Sequence, residues 1–424
     1  MNDFPSILHR LFGGASQSTL IAICTTCWYM SSNSNAIASQ VLFSKFESKE
    51  SDVHITLLAQ LLTTFQLVLG VVFSLTFFAC HALLFGRNQG SEGKLLMQKV
   101  RACDLFIGLL HYVGSLCTNM GFAYGSASLV QCVKLLEPIE TLVLVVIAIL
   151  VRDNILSRSC DTTKLEIQQI LSVRKVTSTL VIIGGTMMLL GQKSMEPNPK
   201  SIVFALVSGF CMASRNVLKK TTSSADTKQQ SETKKSSMEA FVEGVQSFAF
   251  ITFMSAIPSL AVTLICYIYE FESFYSVVSS LLGSESDIVQ YLMKAVIFHC
   301  GYNVFSITVL SLTSATTHSL LNVGKRIVNV LTAAAYFGVA LSLKGKCGIA
   351  LATVGAFLYN DNSVERIKNT ALGKYLDISQ RRKLANVDAV AASYEDEEIP
   401  LVSSEIACEI RTTVRSTPSQ DGCE

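Results

Sequence analysis

His318, Asn322, Lys325 and Asn329 follow one another at spacings of four, three and four, so on a helix they share one face, with Arg326 beside Lys325. The run that holds them, "LLNVGKRIVNVLTAAAYFGVALSL", is otherwise mostly apolar. A second constellation is similar: Gln131, Lys134, Pro138 and Thr141 share a face, with Glu137 and Glu140 adjacent. A charge at the centre of a bilayer costs roughly 2.5–3.5 kcal/mol on insertion scales, so Lys134, Lys325 and Arg326 together cost about 8–10 kcal/mol before partners are counted. Pairing with Glu137 and Glu140 merely to fasten helices would balance two of the three charges and leave one over. Snorkelling does not serve either, because Lys325 lies deep within its run. The reading that uses all three is a water-accessible cavity that binds an anion. Lysine supplies a point charge there and arginine a planar fork suited to phosphate. Pro138 fits such a place, because it removes the helical partner of the Lys134 carbonyl and kinks the chain.

The elements that must carry these residues are membrane helices. Half of the 424 residues are hydrophobic, only 16% are charged, and the mean hydropathy is +0.43. About 20 apolar residues span the hydrocarbon core as a helix. Ten such runs can be read, at roughly 18–42, 54–86, 103–123, 127–150, 176–192, 200–219, 240–269, 288–312, 316–342 and 346–360. The fold class expected is therefore an all-α integral membrane protein of ten transmembrane helices. If the N-terminus is cytosolic, 21 Lys and Arg fall in cytosolic segments and 6 on the opposite side, a strong positive-inside bias. That places both termini in the cytosol. The division expected is a cytosolic N-terminus (1–17), a transporter-like domain (18–360) and a flexible cytosolic tail (361–424). The polar stretch "TTSSADTKQQSETKKSS" (221–237) reads as a disordered cytosolic loop.

The sequence also repeats itself. "FIGLLHYVGSLCTNMGFAYGSASLVQCVKLLEP" and "MKAVIFHCGYNVFSITVLSLTSATTHSLLNVGKRI" superpose without a gap from His111 and His299 to the Ser-Ala pairs at 126–127 and 314–315. The copies lie five spans apart, so the second half (200–360) enters the membrane from the side opposite to the first (18–192). A 5+5 inverted repeat of this kind is the usual plan of a secondary transporter with its site near the midplane.

"GLLHYVGSLCTNM…QCVKLLEPIETL", "SGFCMASRNVLKK", "HCGYNV" and "TTHSLLNVGKRIVNV" closely resemble the triose-phosphate translocator family of the drug/metabolite transporter superfamily. The matches run in order over about residues 28–360. The resemblance implies an antiporter exchanging a small phosphorylated metabolite (triose phosphate, phosphoenolpyruvate or sugar phosphate) for inorganic phosphate. By position, Lys134, Lys325 and Arg326 match the family's phosphate-binding cations, and Thr118, Tyr302 and Arg215 match further substrate-contacting positions. Glu137, Asn322 and His318 are expected to support them, and His111 and His299 to pack helices. Arg215, beside Lys219 and Lys220, reads equally as an interfacial anchor. A nucleotide-sugar transporter of the same fold is the alternative, although such relatives often carry Thr, Val or Asp where Arg326 stands. The sequence departs from the family at Ser115, where His is frequent, and at Ser39-Gln40, where Asn-Lys is usual; both changes are expected at the end of the site away from phosphate.

No metal-ligand spacing and no nucleophile elbow appear, so no enzyme, metal or cofactor is expected, nor a nucleic-acid partner. The partners expected are the anionic substrate, inorganic phosphate and lipid, and no oligomeric state can be read. The cysteines of "CTTC" (Cys24, Cys27) lie in the first span without a βαβ context and read as structural. A carrier with no long Ser/Arg-rich leader is expected in an endomembrane (ER or Golgi) or the outer membrane of a complex plastid.

Overall fold

The structure, a computed structural model, describes residues 17–47, 52–85, 102–155, 172–192, 198–227, 237–283, 286–313 and 315–359. Every regular element among them is helical. Helices cover the apolar runs read from the sequence: α1 (Gln17–Glu47), α2 (Asp52–Phe85), α3 (Ala102–Tyr124), α4 (Ala127–Val133), α5 (Glu137–Ile155), α6 (Val173–Leu190), α7 (Pro199–Thr227), α8 (Ser237–Tyr269), α9 (Phe271–Gly283), α10 (Ser286–Leu312), α11 (Ala315–Tyr336) and α12 (Leu343–Tyr359). Six of these, α2, α3, α6, α7, α8 and α10, contain stretches long and apolar enough to cross a membrane. Their outward faces carry Leu75, Met187, Val203 and Leu264, each more than half exposed, as a lipid-facing surface would.

Two differences from the sequence reading have physical causes. The segment 221–237 does not start as a loop. Helix α7 runs on to Thr227, because extending an anchored helix needs no new nucleus and "TTSSADT" contains neither Gly nor Pro. Helix α9 is an element the sequence reading did not separate. Phe274, Val277, Val278 and Leu281 recur at helical spacing and pack into the main core, while Phe271 and Tyr275 stay exposed. The tail expected from 361 lies outside the described residues.

Local signals set the ends that matter here. Ser126, one of the repeated serines, caps α4: its Oγ accepts from the Leu129 N–H at 3.1 Å. Helix α11 stops at Gly338, which holds φ +67°, with Val339 N–H on the Ala334 carbonyl (2.8 Å) and Gly338 N–H on that of Ala335 (3.4 Å). This is a Schellman end, and the positive φ explains the glycine.

The helix pairings include α1 with α10, α3 with α7, α6 with α12, α2 with α8, and α11 with α4. Helices α6 and α12 meet backbone to backbone: a Cβ on Gly185 would lie 2.5 Å from the Ala352 nitrogen and 2.6 Å from the Gly348 oxygen. Small residues permit such an approach in lipid. Gly185→Val should therefore push the helices apart and cost about 1–3 kcal/mol. The expected result is a clearly lower midpoint when the solubilised protein is heated and assayed by gel filtration; an unchanged midpoint would contradict this packing.

Candidate anion site

The chain between α4 and α5 is where the fourth span breaks. Lys134, Leu135 and Leu136 form a single 3₁₀ turn. Pro138 has no N–H to give the Lys134 carbonyl, as expected. That carbonyl is not left open, however: it accepts from the Glu137 N–H instead. The break turns Lys134 and Glu137 toward the protein interior, where each is less than a tenth exposed.

The Lys134 Nζ donates to Thr118 Oγ1 at 2.6 Å. Thr118 is itself fixed, donating to the Gly114 carbonyl at 2.8 Å and lying 2.7 Å from Ser208 Oγ. Lys134 also faces the like charges of Arg326 and Lys325 and the opposite charge of Glu140. Arg326 is buried and donates from Nη2 to Glu137 Oε2. Asn322 Nδ2 donates to the same oxygen at 3.2 Å. Lys325 has a different setting: its Nζ sits over the rings of Trp28 (4.9 Å) and Tyr302 (5.8 Å), and it has no carboxylate partner among the described residues.

Arg215 faces the cavity. Its Nη1 donates to His111 Nδ1 at 2.8 Å, and Nη2 donates to Asn216 Oδ1 at 2.9 Å. Of the two histidines expected to pack helices, His111 accepts from Arg215 and His299 lies edge-on to Tyr302 with ring centres 5.0 Å apart. His318 does more than pack. It stacks on Trp28 and donates from Nε2 to the Ser306 carbonyl at 3.2 Å.

The nine residues expected to bind or support substrate, Lys134, Lys325, Arg326, Thr118, Tyr302, Arg215, Glu137, Asn322 and His318, line one cavity of about 90 Å³, while Asn329, Glu140, Pro138 and Thr141 lie off its wall. One water needs only ~10–15 Å³ of such space, so the cavity holds several waters or a small polyatomic anion. Its walls come from α1, α3, the α4–α5 break, α7, α10 and α11. Four cations and one carboxylate border it, an arrangement that attracts anions and repels cations. Among the described residues no group of three metal-ligating side chains occurs.

A profile of the Triose-phosphate Transporter family matches residues 19–360, most of the chain and all of the cavity. The protein belongs to this family. Its curated relatives within it include the triose phosphate/phosphate translocator of non-green plastids from Brassica oleracea var. botrytis, 26% identical over 63% of this chain and 58% of the relative. Phosphoenolpyruvate/phosphate translocator 3 of Oryza sativa subsp. japonica is 25% identical over 61% and 56%, and phosphoenolpyruvate/phosphate translocator 1 of Arabidopsis thaliana is 25% identical over 61% and 55%. The chain thus spans less than two thirds of the length of these relatives.

For a triose-phosphate transporter family member, the departures noted in the sequence fall outside the cavity. Gln40 accepts from the Ala127 N–H at 2.7 Å and so secures the start of α4. Ser115 is buried with its hydroxyl unpartnered, and neither it nor Ser39 lines the cavity. The sequence reading placed the contribution of α1 at Ser39-Gln40, whereas Ser32 and Asn35 form its part of the wall. The signal was present: "SSNSN" at 31–35 is a polar run inside an otherwise greasy helix. Asn216, Asn303 and Ser306 were likewise passed over. The two cysteines of "CTTC" are free thiols, Cys24 buried and Cys27 half-buried.

Proposed function

We propose that the protein is a secondary antiporter that exchanges a small phosphorylated metabolite for inorganic phosphate by alternating access, and that Lys134, Lys325, Arg326, Arg215, Thr118 and Tyr302 bind the substrate. The observation that carries this reading is the gathering of four cations around one cavity. Counting Glu137 on the wall and Glu140, which lies off the wall and acts on Lys134, as ionised, four cations against two carboxylates leave an excess of two positive charges. A phosphate dianion cancels that excess. An empty site would have to close over uncompensated like charges at low dielectric, which is strongly unfavourable. The carrier therefore turns over readily only when loaded, and exchange becomes obligatory.

The architecture proposed is ten spans in two inverted halves, 18–192 and 200–360, with both termini cytosolic. The helix pairings named above support it: counting α4 and α5 as one span, each of those five maps onto another of them, or onto itself, when every span is replaced by the one five further on. The substrates in the relatives' names, triose phosphate and phosphoenolpyruvate, support the substrate class. The test is counter-exchange by the purified protein in liposomes. Labelled phosphate uptake should rise at least ~10-fold when phosphate, triose phosphate, phosphoenolpyruvate or a hexose phosphate is trapped inside, compared with empty vesicles, since only loaded reorientation escapes the charge penalty. Equal uptake by empty vesicles would refute obligatory exchange. Stimulation by trapped nucleotide sugars alone would give the function to that substrate class.

A further inference from the structure

Lys325 and Arg326 are neighbours in sequence and are held in opposite ways. Arg326 donates to Glu137, which cancels its charge and fixes it. Lys325 is held by faces of aromatic rings, Trp28 at 4.9 Å and Tyr302 at 5.8 Å. A ring face attracts a cation through its quadrupole yet carries no net charge, so the ammonium keeps its full positive charge for a ligand. We infer that Trp28 is the residue that positions Lys325 for substrate, a displaceable stand-in for the anion in the empty carrier. The inference deepens the exchange reading given above and rests on it.

The surroundings of Trp28 are built for that task. The indole is wholly buried, and the His318 ring lies parallel to it at 4.9 Å with an interplanar angle of 11°. One residue on, the Tyr29 hydroxyl donates to the Leu321 carbonyl at 2.5 Å, the helical turn that leads to Lys325. Gly324 makes this approach possible, because a Cβ there would lie 2.7 Å from the Tyr29 oxygen. One turn further along α1, Ser32 Oγ accepts from Asn329 Nδ2 at 2.9 Å. Helix α1 therefore grips α11 above, at and below Lys325, and it presents to the cation only an uncharged ring. An acid at that position would neutralise Lys325 as Glu137 does Arg326, and the incoming phosphate would have to break an ion pair to reach it.

Trp28 is also the only tryptophan of the chain, so the inference has a spectroscopic reading that needs no substitution. Inorganic phosphate titrated into the full-length protein should draw Lys325 off the indole and change its emission along a saturable curve. The half-point should follow the KM for exchange, and Lys325→Met should abolish the change. Trp28→Leu should raise the KM for phosphate by about fivefold to tenfold with a much smaller change in maximal rate, whereas Trp28→Phe, which keeps a ring face, should restore most of the affinity. A merely structural role would lower the amount of active protein and leave KM in place. Saturable exchange with unmoved emission, or a Trp28→Leu protein with wild-type KM, overturns this inference and leaves the exchange reading intact. No exchange by the wild-type protein overturns both.

Discussion

Lys134→Met should abolish phosphate exchange, with a loss of ~10²-fold or more, while the protein still inserts and elutes as a folded species. Methionine retains most of the length of the side chain and its packing. What disappears is the charge and the donor that Thr118 aligns at 2.6 Å. A hydrogen bond to a charged group is worth ~1.5–3 kcal/mol, and the lost counter-charge for a buried dianion adds to that. The change should also be self-consistent with the fold: Lys134 sits in a like-charged group with Arg326 and Lys325, so its neutralisation relieves repulsion in the empty protein. Transport assays on reconstituted Lys134→Met, normalised to folded protein, would decide the matter. Exchange within a few-fold of wild type would remove Lys134 from the site.

Glu137→Gln should harm both stability and transport, and the second substitution Arg326→Met should rescue only the first. Glu137 accepts from both Arg326 and Asn322, so the single change strands a buried guanidinium. Breaking a buried pair at one partner costs about 3–5 kcal/mol, while replacing both partners by neutral groups is often tolerated. Thermal unfolding of the two single variants and the double variant forms a cycle whose coupling energy should be about 2 kcal/mol or more. Exchange should be absent in all three. If the double variant recovered exchange along with stability, Arg326 would be a fastener rather than a ligand.

Much of this site was legible in the sequence because hydrocarbon makes polar residues conspicuous. Lys134, Lys325 and Arg326 stood out by their cost, and the shared face of His318, Asn322 and Lys325 followed from helical period alone. The structure keeps His318, Asn322 and Lys325 on the wall of one cavity. The same contrast hid other parts. Ser32 and Asn35 are small and uncharged, so each taken alone is cheap enough in a helix to pass as packing. Helices α1, α5 and α11, which fall short of simple membrane criteria, bring Ser32, Asn35, Glu137, Asn322, Lys325 and Arg326 to the cavity, beside Thr118, Arg215 and Tyr302 from α3, α7 and α10, which meet those criteria. Partner choice was not legible. Nothing in the order of residues says that Arg326 takes Glu137 while Lys325 takes Trp28, because the two cations differ by one position and about 100° around a helix. That rotation decides which of them meets α5 and which meets α1.

The excess of cations over carboxylates around the cavity has an electrical consequence. Moving one elementary charge across 100 mV changes the free energy by ~2.3 kcal/mol. If the vacant interior reoriented, some fraction of two positive charges would travel with it, and voltage would bias the resting orientation. Occupied by a dianion, the same interior is neutral and the field has nothing to grip. Under the exchange proposed, turnover would follow metabolite gradients and be largely deaf to the potential of the membrane.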